Sequence, residues 1–135
     1  MERKNIGYWA ATGLFGLIYL GSGIADVLHA SPVLATLAHL GFPAYLASIL
    51  GPWKIAGVAA LLAPGFPRLK EWAYAGIVFD LSSGALSHAI NGDPTWRPLI
   101  PLVLLGLVAA SYLTRPAGRR IEAGPARLEG VPRAA

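Results

Sequence analysis

The chain contains no cysteine. Disulfides, thiolate-ligated iron–sulfur clusters and thiol chemistry by its own residues are therefore excluded, while the redox compartment is left open. Charge is scarce as well. Only 13% of the 135 residues are Asp, Glu, Lys or Arg, against about a quarter in ordinary soluble domains. Those charges avoid long stretches. Ile6–Ala25 carries none in 20 residues and Pro98–Thr114 none in 17. Ala44–Pro67 holds only Lys54, and Trp72–Ile90 holds only Asp80 beside His88. No flavin, haem or iron–sulfur motif is visible, and no His, Asp or Glu spacing is diagnostic of a metal site. No intrinsic cofactor and no metal are expected.

What remains is apolar: 55% hydrophobic residues and a mean hydropathy of +0.54. A hydrocarbon core of ~30 Å calls for about 17–25 apolar residues in a helix. The pattern predicts an all-α membrane protein, a bundle of four transmembrane helices spanning about 7–28, 44–63, 71–90 and 98–114. The first apolar run is longer than the ~7–15 residues of a signal-peptide core and is followed by three more spans, so a retained helix is expected. Lys and Arg placement sets the orientation. Arg3 and Lys4 precede the first span, Arg68 and Lys70 lie between the second and third, and five arginines follow the fourth, leaving Arg97 opposite. Both termini are expected to be cytoplasmic in a multi-pass protein of the cell membrane. Because the basic residues flank apolar spans, the pI of 9.8 reads as topology and not as nucleic-acid binding.

The connections carry information too. Ser31 suits an N-cap, Pro32 a first helical position and Gly41 a stop. Between them Val33, Leu34, Leu37 and Leu40 share a face, with Thr36 and His39 opposite. A short helix over residues 32–40 in the outer interface is predicted, as a lid or as a plain connecting turn. Pro64-Gly-Phe-Pro67 and Asn91-Gly-Asp-Pro94 read as tight turns. Residues 115–135, rich in Arg, Pro, Gly and Ala, cannot bury a core and read as a basic cytoplasmic tail, disordered or held by a partner or by anionic headgroups. Tyr19–Ala30 (YLGSGIADVLHA) and Phe79–Ala89 (FDLSSGALSHA) share Ser-Gly and His-Ala, a faint internal repeat.

Three of the expected spans carry polar residues at helical spacing. Tyr19, Ser22, Asp26 and His29 form one stripe, Lys54 sits between Gly51 and Gly57, and Asp80, Ser83, Gly84, Ser87 and His88 share an arc. Lys54 and Asp80 both fall near the middle of their spans. An isolated charge at that depth costs about 2.5–3.5 kcal/mol on insertion scales, so a Lys54–Asp80 pair is expected. Asp26, His29 and His88 fall towards the outer ends, where a second cluster is expected, proton-labile because histidine titrates near neutral pH. The pair reads either as a register-fixing contact or as part of a ligand pocket.

Gly16-x-x-Tyr19-x-x-x-Gly23, Gly51-Pro-Trp-Lys-Ile-Ala-Gly57 and Phe79-Asp-Leu-Ser-Ser-Gly-Ala-x-x-His88 together resemble the DoxX-like family of small four-helix bacterial membrane proteins, over residues 7 to about 113. The family's relatives include subunits of a thiosulfate:quinone oxidoreductase and of a membrane oxidoreductase complex. The resemblance marks Lys54, Asp80 and His88 as the candidate site and implies oxidoreductase association, with other membrane subunits as partners. A quinone or other lipophile bound among Tyr19, Lys54, Asp80 and His88 is one function class. A non-catalytic accessory or assembly subunit is the second, and a small proton-coupled carrier, which would need a homo-oligomer, the third.

Overall fold

The computed structural model describes residues 2–122 and is all-helical there. Four long helices, α1 (Arg3–Val27), α3 (Tyr45–Leu62), α4 (Pro67–Ile90) and α5 (Trp96–Leu113), are joined by short connections, with the nine-residue α2 (Ser31–His39) between the first two. Helix ends follow local chemistry. α1, α2 and α4 each stop in a left-handed residue, His29 (φ 50°), Gly41 (φ 81°) and Gly92 (φ 73°). In each case the next amide turns back onto a carbonyl of the last turn: Ala30 to Ala25, Phe42 to Leu37, and Asp93 to His88. This is the hydrogen-bonded stop that glycine favours. α3 ends before Pro64, and α4 begins on Pro67, whose missing amide costs nothing in a first turn.

Neighbours in the ring are antiparallel: α1 packs on α3 and α5, and α4 packs on the same two helices. α2 lies on α3. Phe15, Tyr19, Val58, Leu61, Tyr74, Ile77, Leu81 and Val108 fill the centre. Outward positions are also apolar; Leu17, Trp53 and Phe79 are about 70% exposed, at 72%, 72% and 70%. An apolar outside around a partly polar inside is the arrangement a bilayer demands.

α1, α3 and α5 are each long and apolar enough to cross a membrane. α4, at 24 residues, does not meet the same standard, because Arg68, Lys70, Glu71, Asp80, three serines and His88 dilute it. On length and composition the expectation of four spanning helices is met by three.

α2 forms one residue earlier than predicted. Ala30 is its N-cap, and Ser31 and Pro32 open the helix. Its orientation also differs: Thr36, expected on the far side, joins Val33, Leu37 and Leu40 over an interior cavity.

At the opposite end, the first residues of the expected tail are docked. Arg115 is buried, ion-paired with Glu71 at 2.6 Å, and lies 3.8 Å from the Tyr112 ring centre. Arg119 donates to the Leu61 carbonyl at 2.7 Å, and Lys70 to the carbonyls of Ala60 and Ala63. Two cations thus satisfy the last carbonyls of α3, where the helix dipole is negative. The remainder of the expected tail, 123–135, lies outside the described residues.

α1 and α3 meet at two glycines. A Cβ on Gly51 would stand 2.7 Å from Val27 Cγ2 and 2.9 Å from both Val27 N and the Gly23 carbonyl oxygen. Two of those three neighbours are backbone, so only separation of the helices makes room. Gly51→Ala should therefore lower stability by the ~1–3 kcal/mol typical of overpacking. Gly106→Ala, with nothing within 4 Å, should be neutral or mildly stabilising. Thermal unfolding in mild detergent checks both. Equal midpoints for the two variants would contradict the close approach.

Candidate functional site

The close approach of Gly23 and Gly51 fixes the neighbours one turn away on each helix. Ser22 and Asp26 on α1 face Lys54 on α3. Lys54 Nζ lies 2.8 Å from Asp26 Oδ2, donates to Ser22 Oγ at 3.1 Å, and stands 4.0 Å from Asp80 Oδ2. Tyr19 donates its hydroxyl to that same Asp80 oxygen at 2.9 Å, and its ring centre is 5.7 Å from the ammonium. One cation thus links carboxylates on α1 and α4. Asp26 Oδ2 is buried and, although adjacent to the ammonium, receives no hydrogen bond of good geometry among the described residues. Side-chain exposure separates the two acids: Asp26 is 6% exposed and Asp80 23%.

The expected Lys54–Asp80 contact is at the outer limit of an ion pair, and Asp26 is the nearer partner. Sequence spacing placed Asp26 with two histidines instead. That expected cluster does not form, because each member has a different partner. His29 Nε2 meets Ser48 Oγ at 2.7 Å, and its backbone supplies the left-handed stop of α1. His88, by contrast, sits inside the last turn of α4, so the His-Ala of the faint repeat occupies unlike positions.

A cavity of about 760 Å³ lies among α1, α3 and α4 beneath α2, reaching Pro101 of α5. Ligand pockets commonly span about 300–1,000 Å³. Ser22, Asp26, Lys54, Asp80, Ser83, Ser87 and His88 all line it. Tyr19 stands behind Asp80, and His29 is outside. The serines on α4 spend their protons locally: Ser83 donates to the Phe79 carbonyl at 2.6 Å and Ser87 to the Ser83 carbonyl at 2.8 Å. The remaining walls are apolar, from Val33, Leu37, Leu40, Phe42, Leu46 and Leu50.

His88 leads to a feature that sequence reasoning missed. Its Nδ1 is 2.6 Å from Asp93 Oδ2, while His39 Nε2 is 2.6 Å from Asp93 Oδ1. Asn91 donates to Oδ1 at 3.2 Å, and Arg97 approaches at 3.8 Å. Hydrogen bonds from His88 first, then from His39 and Asn91, hold the Asp93 carboxyl well below the usual carboxylate range. The end of α2 is thereby tied to the α4–α5 turn over the cavity. The available signal was only that all three side chains belong to segments flanking the same expected membrane face. Among the described residues no group of three or more His, Asp or Glu is placed to hold a metal ion.

Fold and site together define a small helical membrane protein with a polar, ionisable interior. The sequence profile of the DoxX-like family matches residues 10–111, and the chain belongs to that family. No curated protein and no solved structure matches it.

Two predictions follow from the geometry. In a double-mutant cycle of unfolding free energies, Lys54→Met should couple more strongly to Asp26→Leu than to Asp80→Leu, and each single change should cost ~3–5 kcal/mol by leaving a buried charge alone. Equal coupling to both acids, or none, contradicts the 2.8 Å contact. At the α2 end, Asp93→Asn should speed amide exchange in α2 while leaving α5 unchanged. A carboxyl with a depressed folded pKa stabilises above its unfolded value and loses that contribution only as pH falls through the lower folded one. The tie should thus survive acidification to about pH 4 so far as Asp93 is concerned. Unchanged α2 exchange in Asp93→Asn contradicts the tie.

Proposed function

We propose that this protein holds a lipophilic small molecule in the cavity beneath α2, with its polar head at Lys54, Asp26 and Asp80, and that it does so as a subunit supporting a membrane oxidoreductase complex. The observation that carries the binding reading is the cavity itself: apolar walls converge on a floor of three ionisable side chains, as ligand sites do. Ionisable residues within a membrane are functional by default. The family resemblance supplies the oxidoreductase setting and puts a quinone first among the ligands. In this reading α4 is the fourth crossing, with its charged residues on the bundle side or at the ends. α2 lies in the outer interface, and both termini are cytoplasmic. No redox group is supplied by the chain's own motifs, so electrons would come from a partner subunit.

A second reading has a specific observation in its favour. Lys54, Asp26, Asp80 and Tyr19 already contact one another across three helices, which is what an accessory subunit needs from register-fixing residues. Both readings meet one experiment. The protein is purified into zwitterionic nanodiscs, extracted with organic solvent, and the extract is analysed by mass spectrometry, with Leu37→Trp as a cavity-filling variant. The binding reading expects a lipophile that is near-stoichiometric with wild type and at least tenfold depleted in Leu37→Trp at equal thermal stability. Equal extracts from both proteins, with a stoichiometric protein partner retained, would select the accessory reading.

A further inference from the structure

The donors and acceptors around the cavity are unevenly divided, and the division points to the ligand's head. Lys54 directs its ammonium at Asp26, Ser22 and Asp80, and Tyr19 gives its only proton to Asp80. Ser83 and Ser87 donate backward to their own helix and present lone pairs. His88 meets the Asp93 carboxylate through Nδ1, which therefore carries a proton and is engaged away from the cavity floor. Asp80 uses one oxygen for both Tyr19 and Lys54; among the described residues Oδ1 accepts nothing, and Asp80 is the acid with the greater exposure on the cavity. The donors left on the wall are the Ser22 hydroxyl and Lys54, whose one well-aligned hydrogen bond goes to Ser22. The cavity wall is thus mostly acceptor. Two carboxylates also face a single ammonium, leaving one formal negative charge in an apolar surround, where uncompensated charge is expensive. Asp26 Oδ2, buried on the same cavity and without a well-aligned hydrogen bond, adds to the shortage of donors.

We propose that the cavity selects a lipophilic amine: an ammonium head that donates to Asp80 Oδ1 and a lone pair of Ser83, on an apolar body lying along Leu50, Leu46 and Phe42 towards α2. The inference rests on the binding reading above, keeps its lipophile and puts an amine in place of the quinone that the family resemblance suggests. From Lys54 to Leu46 is eight residues of α3, about 12 Å at 1.5 Å per residue, which suits an extended chain of medium length. An oxidised quinone, whose head offers only acceptor oxygens, would leave Asp80 Oδ1 and Asp26 Oδ2 without a donor and would draw the Lys54 ammonium away from the two acids. A fatty carboxylate would meet like charge as well.

The test uses the full chain in zwitterionic nanodiscs, with empty discs as the partition control. Probes are decylamine, decanol, decanoate and a decyl-substituted benzoquinone, read by competition against a fluorescent alkylamine. The expected ranking in wild type is decylamine at least tenfold tighter than decanol, with decanoate and the quinone weaker still. Asp80→Asn should weaken decylamine at least tenfold and decanol by less than threefold. The wild-type ranking needs no variant, so misfolding of Asp80→Asn would not shelter the proposal. Decanoate or the quinone binding as well as decylamine overturns the amine assignment while sustaining a lipophile site. Saturable binding of none of the four overturns the amine assignment and the binding reading together.

Discussion

A lysine ammonium halfway along an apolar helix has to be balanced by protein, because lipid offers nothing to balance it. Lys54 meets that requirement by reaching acids on two other helices, Asp26 at 2.8 Å and Asp80 at 4.0 Å. The consequences spread through the bundle. α1 must approach α3 closely enough for the contact, which Gly23 and Gly51 allow by bringing backbone against backbone. α4 must present Asp80 inward, which turns Ser83, Ser87 and His88 towards the same interior. A polar cavity in a four-helix ring is the result.

The two ends of the bundle are closed by different chemistry. At one, Lys70, Arg115 and Arg119 satisfy helix carbonyls and Glu71, and the two arginines stack on Tyr112, Tyr8 and Trp9. Buried Thr12, Ser111 and Tyr74 form a hydrogen-bonded chain between α1, α5 and α4 just inside it. That end is tied by polar and cation–aromatic contacts, with a largely apolar groove of about 550 Å³ beside them between α4 and α5. At the other end α2 covers open volume and is held at its tip by one carboxylate shared between two histidines. In the proposed reading the first end is scaffold and the second is where a ligand enters.

Much of this was legible in the sequence, for physical reasons that are specific to position. Uninterrupted apolar stretches fix where long helices form, and Pro64-Gly65 and Asn91-Gly92 mark two of the places where the chain turns between them. Helical spacing also identified the polar stripes, and seven of the nine residues so chosen line one cavity. Partner choice was not legible. Spacing gives each residue's face and depth but not the axial offset between α1 and α3, which two glycines and Val27 decide; hence Asp26 was grouped with histidines when it belongs to Lys54. Helical spacing puts His29 on the stripe, whereas its left-handed backbone carries it off the helix. The His39–Asp93–His88 contact joins two connections whose separation no periodicity encodes. α4 was read as a span on its lack of charge after Trp72, while its polar interior residues keep its hydropathy below that of the other three long helices.

The account stands on Lys54 joining Asp26 and Asp80, and the chain is suited to a direct measurement of it. There are only three lysines and three aspartates in the sequence, so ¹⁵N-lysine and ¹³C-aspartate labelling gives few resonances. Solid-state NMR dephasing between lysine Nζ and aspartate carboxyl carbons, in lipid bilayers, reads each separation. One lysine nitrogen should couple strongly to one aspartate carboxyl and more weakly to a second, and both couplings should vanish in Lys54→Met. Dephasing of Lys54 by no aspartate carboxyl carbon would contradict the account at its centre.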